Sequence, residues 1–407
     1  MNYFWWITSV ALGVAWLSRA IDAALGSPHI KNIASPQWDR TVPYICPDLA
    51  DVGPGMDLTI IVPARNEQQH IQAAMRTLLA LDYPSYEVIA VDDRSTDNTG
   101  AILDTLVTET WGAPSLPSKG GRVDFRVIHL TDLPPRWLGK THAMWTAAQQ
   151  AKGDWLLFTD ADIFFRPDCL RRAIAYAEQT KSDHLVLFPR VLMATWSARM
   201  MYMFFSIMFV FGHRPWKVHD PRSKDSIGIG AFNLIRRRVY ESIGTFEPLR
   251  MEIVEDLKLG EAVKMSGYSQ RCAFGPGLVS FNWEQGALGV IRNFTKNFFA
   301  VLKYSWWRAL GAVLLLCFFN LLPFVGLWFA RGWARAGFAV AIACIAGFYV
   351  GISVREKMSP LYFFMHPIST VLFMYAVLRS MAVTLWRGGV EWRGTTYPLK
   401  DLRNDVS

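Results

Sequence analysis

The sequence predicts an α/β protein: a parallel, doubly wound sheet with membrane-spanning helices before and after it in the chain. Three observations carry that prediction. Continuous apolar runs alternate with helical stretches from Leu58 onward, carboxylates follow those runs, and apolar segments occupy both chain ends. Strands covered on both faces read as unbroken apolar runs, and strand–helix alternation argues for a parallel sheet.

The first element, Tyr3–Leu17, carries no charge before Arg19 and has no basic region ahead of it. It reads as a membrane anchor rather than a cleaved leader. The strand-like runs follow: Leu58–Pro63, Tyr86–Asp93, Phe125–Leu130 and Trp155–Asp162, with helical stretches at Glu67–Leu81, Asn98–Thr110 and Thr141–Lys152. Trp111–Arg122, rich in Pro, Gly and Ser, is expected to be a surface connection. Met200–Gly212 is apolar but too short to span; it suits a buried helix or an interfacial one that guides a lipid. Near the C-terminus, Ala309–Ala330 and Ala336–Val354 are uncharged and long enough to cross a bilayer. Leu361–Trp386 contains His366, Pro367 and Arg379, so it spans only if Arg379 snorkels or faces protein. The division is a 1–25 anchor, a 55–285 soluble domain, a 286–308 interfacial helix, a 309–386 region with two to three spans, and a 387–407 polar tail.

Composition agrees. Of 407 residues 52% are hydrophobic and only 19% charged, and 17 Trp with 26 Phe suit membrane–water interfaces. The five Cys are scattered without a CxxC pair, which argues against a disulfide framework or a structural zinc site. The net charge of +8 has no continuous basic face flanked by stacking aromatics, so no nucleic-acid partner is expected. Arg292, Lys296, Lys303 and Arg308 crowd the near side of the Ala309 segment and place the soluble domain in the cytoplasm. An odd number of C-terminal spans would export the tail, yet Arg387, Arg393, Lys400 and Arg403 favour the cytoplasm. A re-entrant last segment broken at Pro367 reconciles the two.

Ligands of doubly wound sheets bind at the carboxyl ends of the strands. Arg65 and Glu67 follow the first run, Asp92 and Asp93 the second, Asp160 and Asp162 the fourth. Neither a GxGxxG after the first strand nor a GxxxxGK[ST] is present, so dinucleotide and P-loop chemistry lose their main support. Asp160 and Asp162 could share Mg²⁺ or Mn²⁺, hard cations that bind carboxylates and substrate phosphates; the competing role is a turn that caps a helix. Asp92 and Asp93 could accept hydrogen bonds from a nucleobase or ribose. Ser95 or Asp97 suits capping. Glu255 and Asp256 open a helix, where acids gain from the dipole, or where one serves as a general base.

VPARNE (Val62–Glu67), VDDRSTDNT (Val91–Thr99), GKTHA (Gly139–Ala143), TDAD and VED occur in an order and at spacings that resemble inverting family 2 glycosyltransferases, over roughly residues 58–300. The resemblance implies a Rossmann-like A-type glycosyltransferase domain with N-terminal and C-terminal transmembrane helices. It implies a nucleotide-sugar donor (a UDP-sugar) held by Pro63, Ala64, Arg65, Glu67, Asp93, Lys140 and Asp160. It also implies Mg²⁺ or Mn²⁺ at Asp162 and Asp160, and Asp256 as base. Ile227–Arg237 resembles the acceptor-side segment. Polymer-building members carry Q/RxxRW; here RNFTKNFFA (Arg292–Ala300) lacks RW and resembles non-processive members that glycosylate lipids such as carotenoids. Arg292 and Lys296 are weaker candidates for phosphate contact. The expectation is a multi-pass cell-membrane enzyme that moves one sugar to a lipid acceptor. A processive polysaccharide synthase is the first alternative, and a transporter with a degenerate nucleotide-binding domain the second.

Overall fold

The computed structural model describes residues 3–35, 38, 58–112, 122–283 and 286–404. Residues 113–121 of the expected Trp111–Arg122 connection lie outside them. The chain divides into an α/β unit, chiefly Ile30–Leu192 and Lys217–Asn282, and a helical unit of Met1–His29, Met193–Trp216 and Trp283–Arg403. Met193–Trp216 interrupts the 55–285 range in sequence but groups with the helices.

The α/β unit is Rossmann-like. Its strands are β1 (Leu58–Ala64), β2 (Ser85–Asp93), β3 (Arg122–Leu130), β4 (Trp155–Phe158), β5 (Phe164–Phe165), β6 (His184–Phe188), β7 (Arg190–Leu192), β8 (Asn233–Arg236), β9 (Gln270–Phe274) and β10 (Val279–Asn282). Seven form the main sheet in the order β3-β2-β1-β4-β8-β6-β9. The β3-β2-β1-β4 half is parallel, as the apolar runs predict. β8 runs antiparallel to both β4 and β6, so the sheet as a whole is mixed. On β1, Ile60 and Val62 face one core and Ile61 the other. That two-sided burial is why the run is apolar at successive positions. The Trp155–Asp162 run ends as a strand at Phe158, which leaves Asp160 and Asp162 in the following turn. The expected Glu67 helix starts at Ile71, and its first residues form a turn instead.

In the helical unit, four segments are long and apolar enough to cross a membrane: Tyr3–His29, Trp306–Phe329, Ala334–Glu356 and Pro360–Trp386. Tyr3–Gly26 packs along Ala334–Glu356, where a Cβ on Gly13 would lie 2.9 Å from the Gly337 carbonyl oxygen, so both glycines permit close approach. Trp306–Phe329 is interrupted by a π-helical turn, Cys317–Leu321, just ahead of Pro323. The apolar helix Trp196–Gly212 buries Met200, Met203, Phe204 and Ile207 within this unit. The single interfacial helix expected at 286–308 is instead two short helices, Gly286–Phe294 and Phe298–Val301, followed by the start of the Trp306 helix.

Candidate active site

The site lies at the carboxyl ends of the parallel strands. The loops after β1 and β2 are stitched together: the Asn66 N–H donates to Ser95 Oγ at 3.1 Å, the Glu67 N–H to Thr99 Oγ1 at 2.8 Å, and the Thr96 N–H to Asn66 Oδ1 at 2.8 Å. Asn66 and Arg94 both take left-handed backbone (φ 54° each), a conformation Asn tolerates better than Arg. These bonds hold the Pro63-Ala64-Arg65 segment beside Asp93. Arg94 Nε donates to Asp93 Oδ1 at 2.7 Å, and Arg65 Nη1 lies 3.7 Å from Asp93 Oδ2. Asp92 accepts from the Ser95 N–H at 3.3 Å and pairs with the His129 ring at 3.2 Å. The two adjacent aspartates therefore face separate partners, which removes the repulsion that makes such a pair costly. Asp97 accepts the Thr99 N–H at 3.0 Å, the capping role expected of it or Ser95.

Gly139 opens the helix Gly139–Gln150 directly against Asp93, where a Cβ would come 2.1 Å from Oδ2. The next residue, Lys140, reaches across the strand ends. Its Nζ lies 2.5 Å from Asp160 Oδ1 and 2.6 Å from Glu255 Oε1. Burial works against the ammonium charge, but Asp160, Glu255 and Asp256 together outweigh it and hold Lys140 above its ordinary range. Asp160 and Asp162 are half-buried on the turn after β4, while Ala161 and Ile163 between and beyond them are buried. That alternation directs both carboxylates away from the core.

Helix Glu255–Met265 brings the second acid pair. Asp256 Oδ2 accepts the Gly230 N–H at 2.8 Å and Oδ1 accepts the Leu257 N–H at 2.8 Å. Burial raises the Asp256 carboxyl above the usual carboxylate range, with Lys140 and both backbone donors opposing it. Glu255 is almost fully buried, and burial raises it too, against the pull of Lys140. The structure thus brings Lys140, Asp160, Glu255 and Asp256 into one cluster, with Asp93 and Arg65 beside the start of the Lys140 helix. Arg292 and Lys296 belong to the helical unit, where Lys296 Nζ sits 3.9 Å over the Trp392 ring. Sequence reasoning places Glu255 at a helix start, as a dipole partner or as the alternative to Asp256 for the base, and does not foresee its ion pair. The contact with Lys140 spans over a hundred residues of chain and leaves no local signal. Gly230 lies in the IGIG segment already singled out, but nothing in its sequence shows that its N–H meets Asp256.

Residues 59–244 match the family described as Glycosyl transferase family 2. The chain is similar to the 4,4'-diaponeurosporenoate glycosyltransferase of Staphylococcus aureus (strain USA300), 24% identical over 349 residues that cover 84% of this chain and 88% of the relative. Among solved structures it is similar to a mannosyltransferase from Pyrobaculum calidifontis in complex with GDP-Man and Mn²⁺, at 19% identity and a TM-score of 0.49, covering 94% of this chain and 99% of that one. It is also similar to residues 1–349 of S. aureus TarS in complex with UDP-GlcNAc, at 14% identity and a TM-score of 0.38, covering 82% and 92%. Residues 59–244 are a family 2 glycosyltransferase domain of A-type, Rossmann-like fold, and the chain is a glycosyltransferase.

Proposed function

We propose that the chain transfers one sugar, with inversion, from a nucleotide-sugar donor to a lipid acceptor, with Asp256 as general base. The observation that carries this reading is the Asp256 carboxylate: half-buried at the strand ends, raised in pKa by desolvation, and held at Oδ2 by the Gly230 N–H. In an inverting displacement the acceptor attacks the anomeric carbon as the nucleotide diphosphate leaves. A base with a raised pKa takes the acceptor proton in the transition state, which is worth roughly 10²–10⁴-fold. Arg65 and Asp93 at the β1 and β2 ends hold the nucleoside, and Lys140 supplies positive charge near the leaving phosphates.

The donor set suits a hard divalent cation. Asp160 and Asp162 offer two carboxylates on one turn, and no group of three or more His, Cys, Asp or Glu that could by itself hold a metal ion is present among the described residues. Mg²⁺ and Mn²⁺ are commonly held by one or two carboxylates and completed by substrate phosphates and water. When bound, the ion supplies Lewis-acid neutralisation of the departing diphosphate. Two observations support a lipid acceptor and a single transfer. The relative's name specifies a 4,4'-diaponeurosporenoate acceptor, and Arg292–Ala300 lacks the RW of polymer builders. The test incubates membranes holding the enzyme with radiolabelled UDP-glucose, UDP-GlcNAc or GDP-mannose and Mn²⁺, with 4,4'-diaponeurosporenoate or extracted lipid as acceptor. One sugar per lipid molecule is expected. A polymer ladder would establish a processive synthase instead, and absence of turnover with every donor would overturn the reading.

For placement in the membrane, we read three crossings and one re-entrant segment. Tyr3–Gly26 and Ala334–Glu356 run in the same direction: Trp5 packs on Phe338 at 6.1 Å and Trp16 on Phe348 at 6.0 Å. Trp306–Phe329 runs the other way, with Gly326 against Phe338. After Glu356 the chain turns back, so that Phe363 lies 6.0 Å from Tyr349, whose hydroxyl meets His366 Nδ1 at 3.3 Å. The helix His366–Trp386 then returns toward the start of the Trp306 helix. The Phe299 N–H donates to Ser380 Oγ at 3.0 Å, and beyond the helix Arg403 donates to the Tyr304 carbonyl at 2.8 Å. This supports a tail on the side from which Trp306 starts. The exposed cations Arg292, Lys303, Arg308, Arg387, Arg393 and Lys400 support reading that side as cytoplasmic. In intact cells an impermeant maleimide should label Gly332→Cys but neither Ser359→Cys nor Arg393→Cys. Labelling at Arg393→Cys would make the last segment a full crossing.

A further inference from the structure

Behind Asp256 lies a buried polar network that the transfer chemistry does not use. His184 on β6, Asn233 on β8 and Gln270 on β9 are all at most 2% exposed. Gln270 Oε1 accepts the Ile227 N–H at 3.0 Å. Its Nε2 lies 3.1 Å from the Ile227 carbonyl, 3.0 Å from the Gly260 carbonyl and 2.7 Å from His184 Nδ1. An amide nitrogen only donates, so His184 Nδ1 accepts, and the His184 Nε2–H donates to Asn233 Oδ1. The ring must therefore be neutral, in keeping with burial, which pushes it down to about 4.

One side chain thus ties the segment Ile227–Gly230 to helix Glu255–Met265. The two backbones are in contact there: a Cβ on Gly228 would lie 1.7 Å from the Asp256 carbonyl oxygen, and one on Gly260 2.0 Å from that of Ile227. The far end of the segment touches both sides of the site. The Gly230 N–H donates to Asp256 Oδ2, and a Cβ there would lie 2.8 Å from Asp160 Oδ2 and 3.6 Å from Asp256 Oδ2. The next carbonyl, of Ala231, accepts from Thr159 Oγ1 at 2.8 Å, one residue before Asp160. Gly230 is wedged between the donor-side carboxylate and the proposed base.

We propose that Gln270 is a positioning residue. It clamps Ile227–Gly230 onto the helix so that the Gly230 N–H holds Asp256 and the segment spaces Asp256 from Asp160. This rests on the reading of Asp256 as base. A backbone donor on a carboxylate favours its ionised form, so loosening the clamp raises the Asp256 pKa further and disorders its aim.

The test replaces Gln270 with Met, similar in length and unable to hydrogen-bond, and with Glu, which keeps an acceptor for the Ile227 N–H. Four quantities are read: kcat with the tightest-binding donor of the panel above, donor Kd, the acid limb of the kcat–pH profile, and amide exchange of residues 226–231. Gln270→Met should lower kcat roughly 10- to 100-fold, the range set by one hydrogen bond to a charged group. Donor Kd should stay within about 2-fold, since the substitution removes no donor contact. The acid limb should move to higher pH and exchange at Gly230 should quicken, and Gln270→Glu should recover part of each change. If Gln270→Met fails to fold, Gln270→Glu carries the same four readings against wild type. An unmoved acid limb and unchanged Gly230 exchange, with loss of thermal stability alone, would overturn the positioning role. Full turnover by Asp256→Asn would instead remove the base reading, and Gly230 exchange would still report whether Gln270 holds the segment.

Discussion

Two pairs of adjacent acids line the site, one at the end of β2 and one at the start of the helix Glu255–Met265, and their charge is met in different ways. Asp92–Asp93 is neutralised from nearby in sequence or on the adjoining strand ends: Arg94, the Ser95 N–H, Arg65 and His129. Glu255–Asp256 takes Lys140 and the Gly230 N–H from far along the chain, with the Leu257 N–H as the one local donor to Asp256 among the described contacts. The first pair keeps redundant partners. In the second, burial is the largest influence, and both acids are pushed upward. The two pairs of adjacent acids thus meet different surroundings, which supports the proposed division between a nucleotide-binding pair on β2 and a proton acceptor at Asp256.

The comparison is tested most severely by Asp256→Asn, which keeps the size and removes the proton acceptor. The turnover number should fall roughly 10²–10⁴-fold, about 3–5 kcal/mol of barrier, with donor affinity unchanged by calorimetry. Equal loss of donor affinity would give Asp256 the binding role proposed for Asp93.

Next in size is Lys140→Met. Lys140 is the one cation paired with Glu255 among the described residues, so its loss strands a buried carboxylate at a cost of roughly 3–5 kcal/mol. The melting temperature at pH 8 should drop by about 10 °C. The sign with pH follows from burial. Glu255 is raised in the folded state, so as pH climbs past the ordinary carboxylate value the unfolded chain releases its proton first and stability falls. Without Lys140 that fall steepens, and the deficit at pH 8 should shrink at pH 5. Arg94→Met should cost much less, because Arg65 stays within reach of Asp93. A matching loss in the two variants would erase the distinction between the pairs.

The smallest effect is expected from Asp93→Ala, which should weaken nucleotide binding roughly 10- to 100-fold and leave the melting temperature within a few degrees. Unchanged affinity would reduce the β2 pair to loop structure.

Much of this protein was legible in local pattern. The parallel β3-β2-β1-β4 half announced itself because strands buried on both faces must be apolar at every position. Position at the strand ends follows from topology, so the places of Arg65, Asp93, Asp160 and Asp162 after the runs could be read in advance. The apolar terminal helices were equally plain, since length and lack of charge are what a bilayer demands. Antiparallel β8 was not, because a four-residue strand carries too little pattern to give its direction. Nor was the split of 286–308 into short helices, where cations and aromatics suit either outcome. Only the tertiary structure decided that Glu255 is a buried ion-pair partner and that Lys140 joins it to Asp160. The same is true of Gln270, which holds the Gly230 segment against Asp256. Those contacts join residues far apart in the chain, and a carboxylate's protonation depends on the water and charges around it, which no local spacing records.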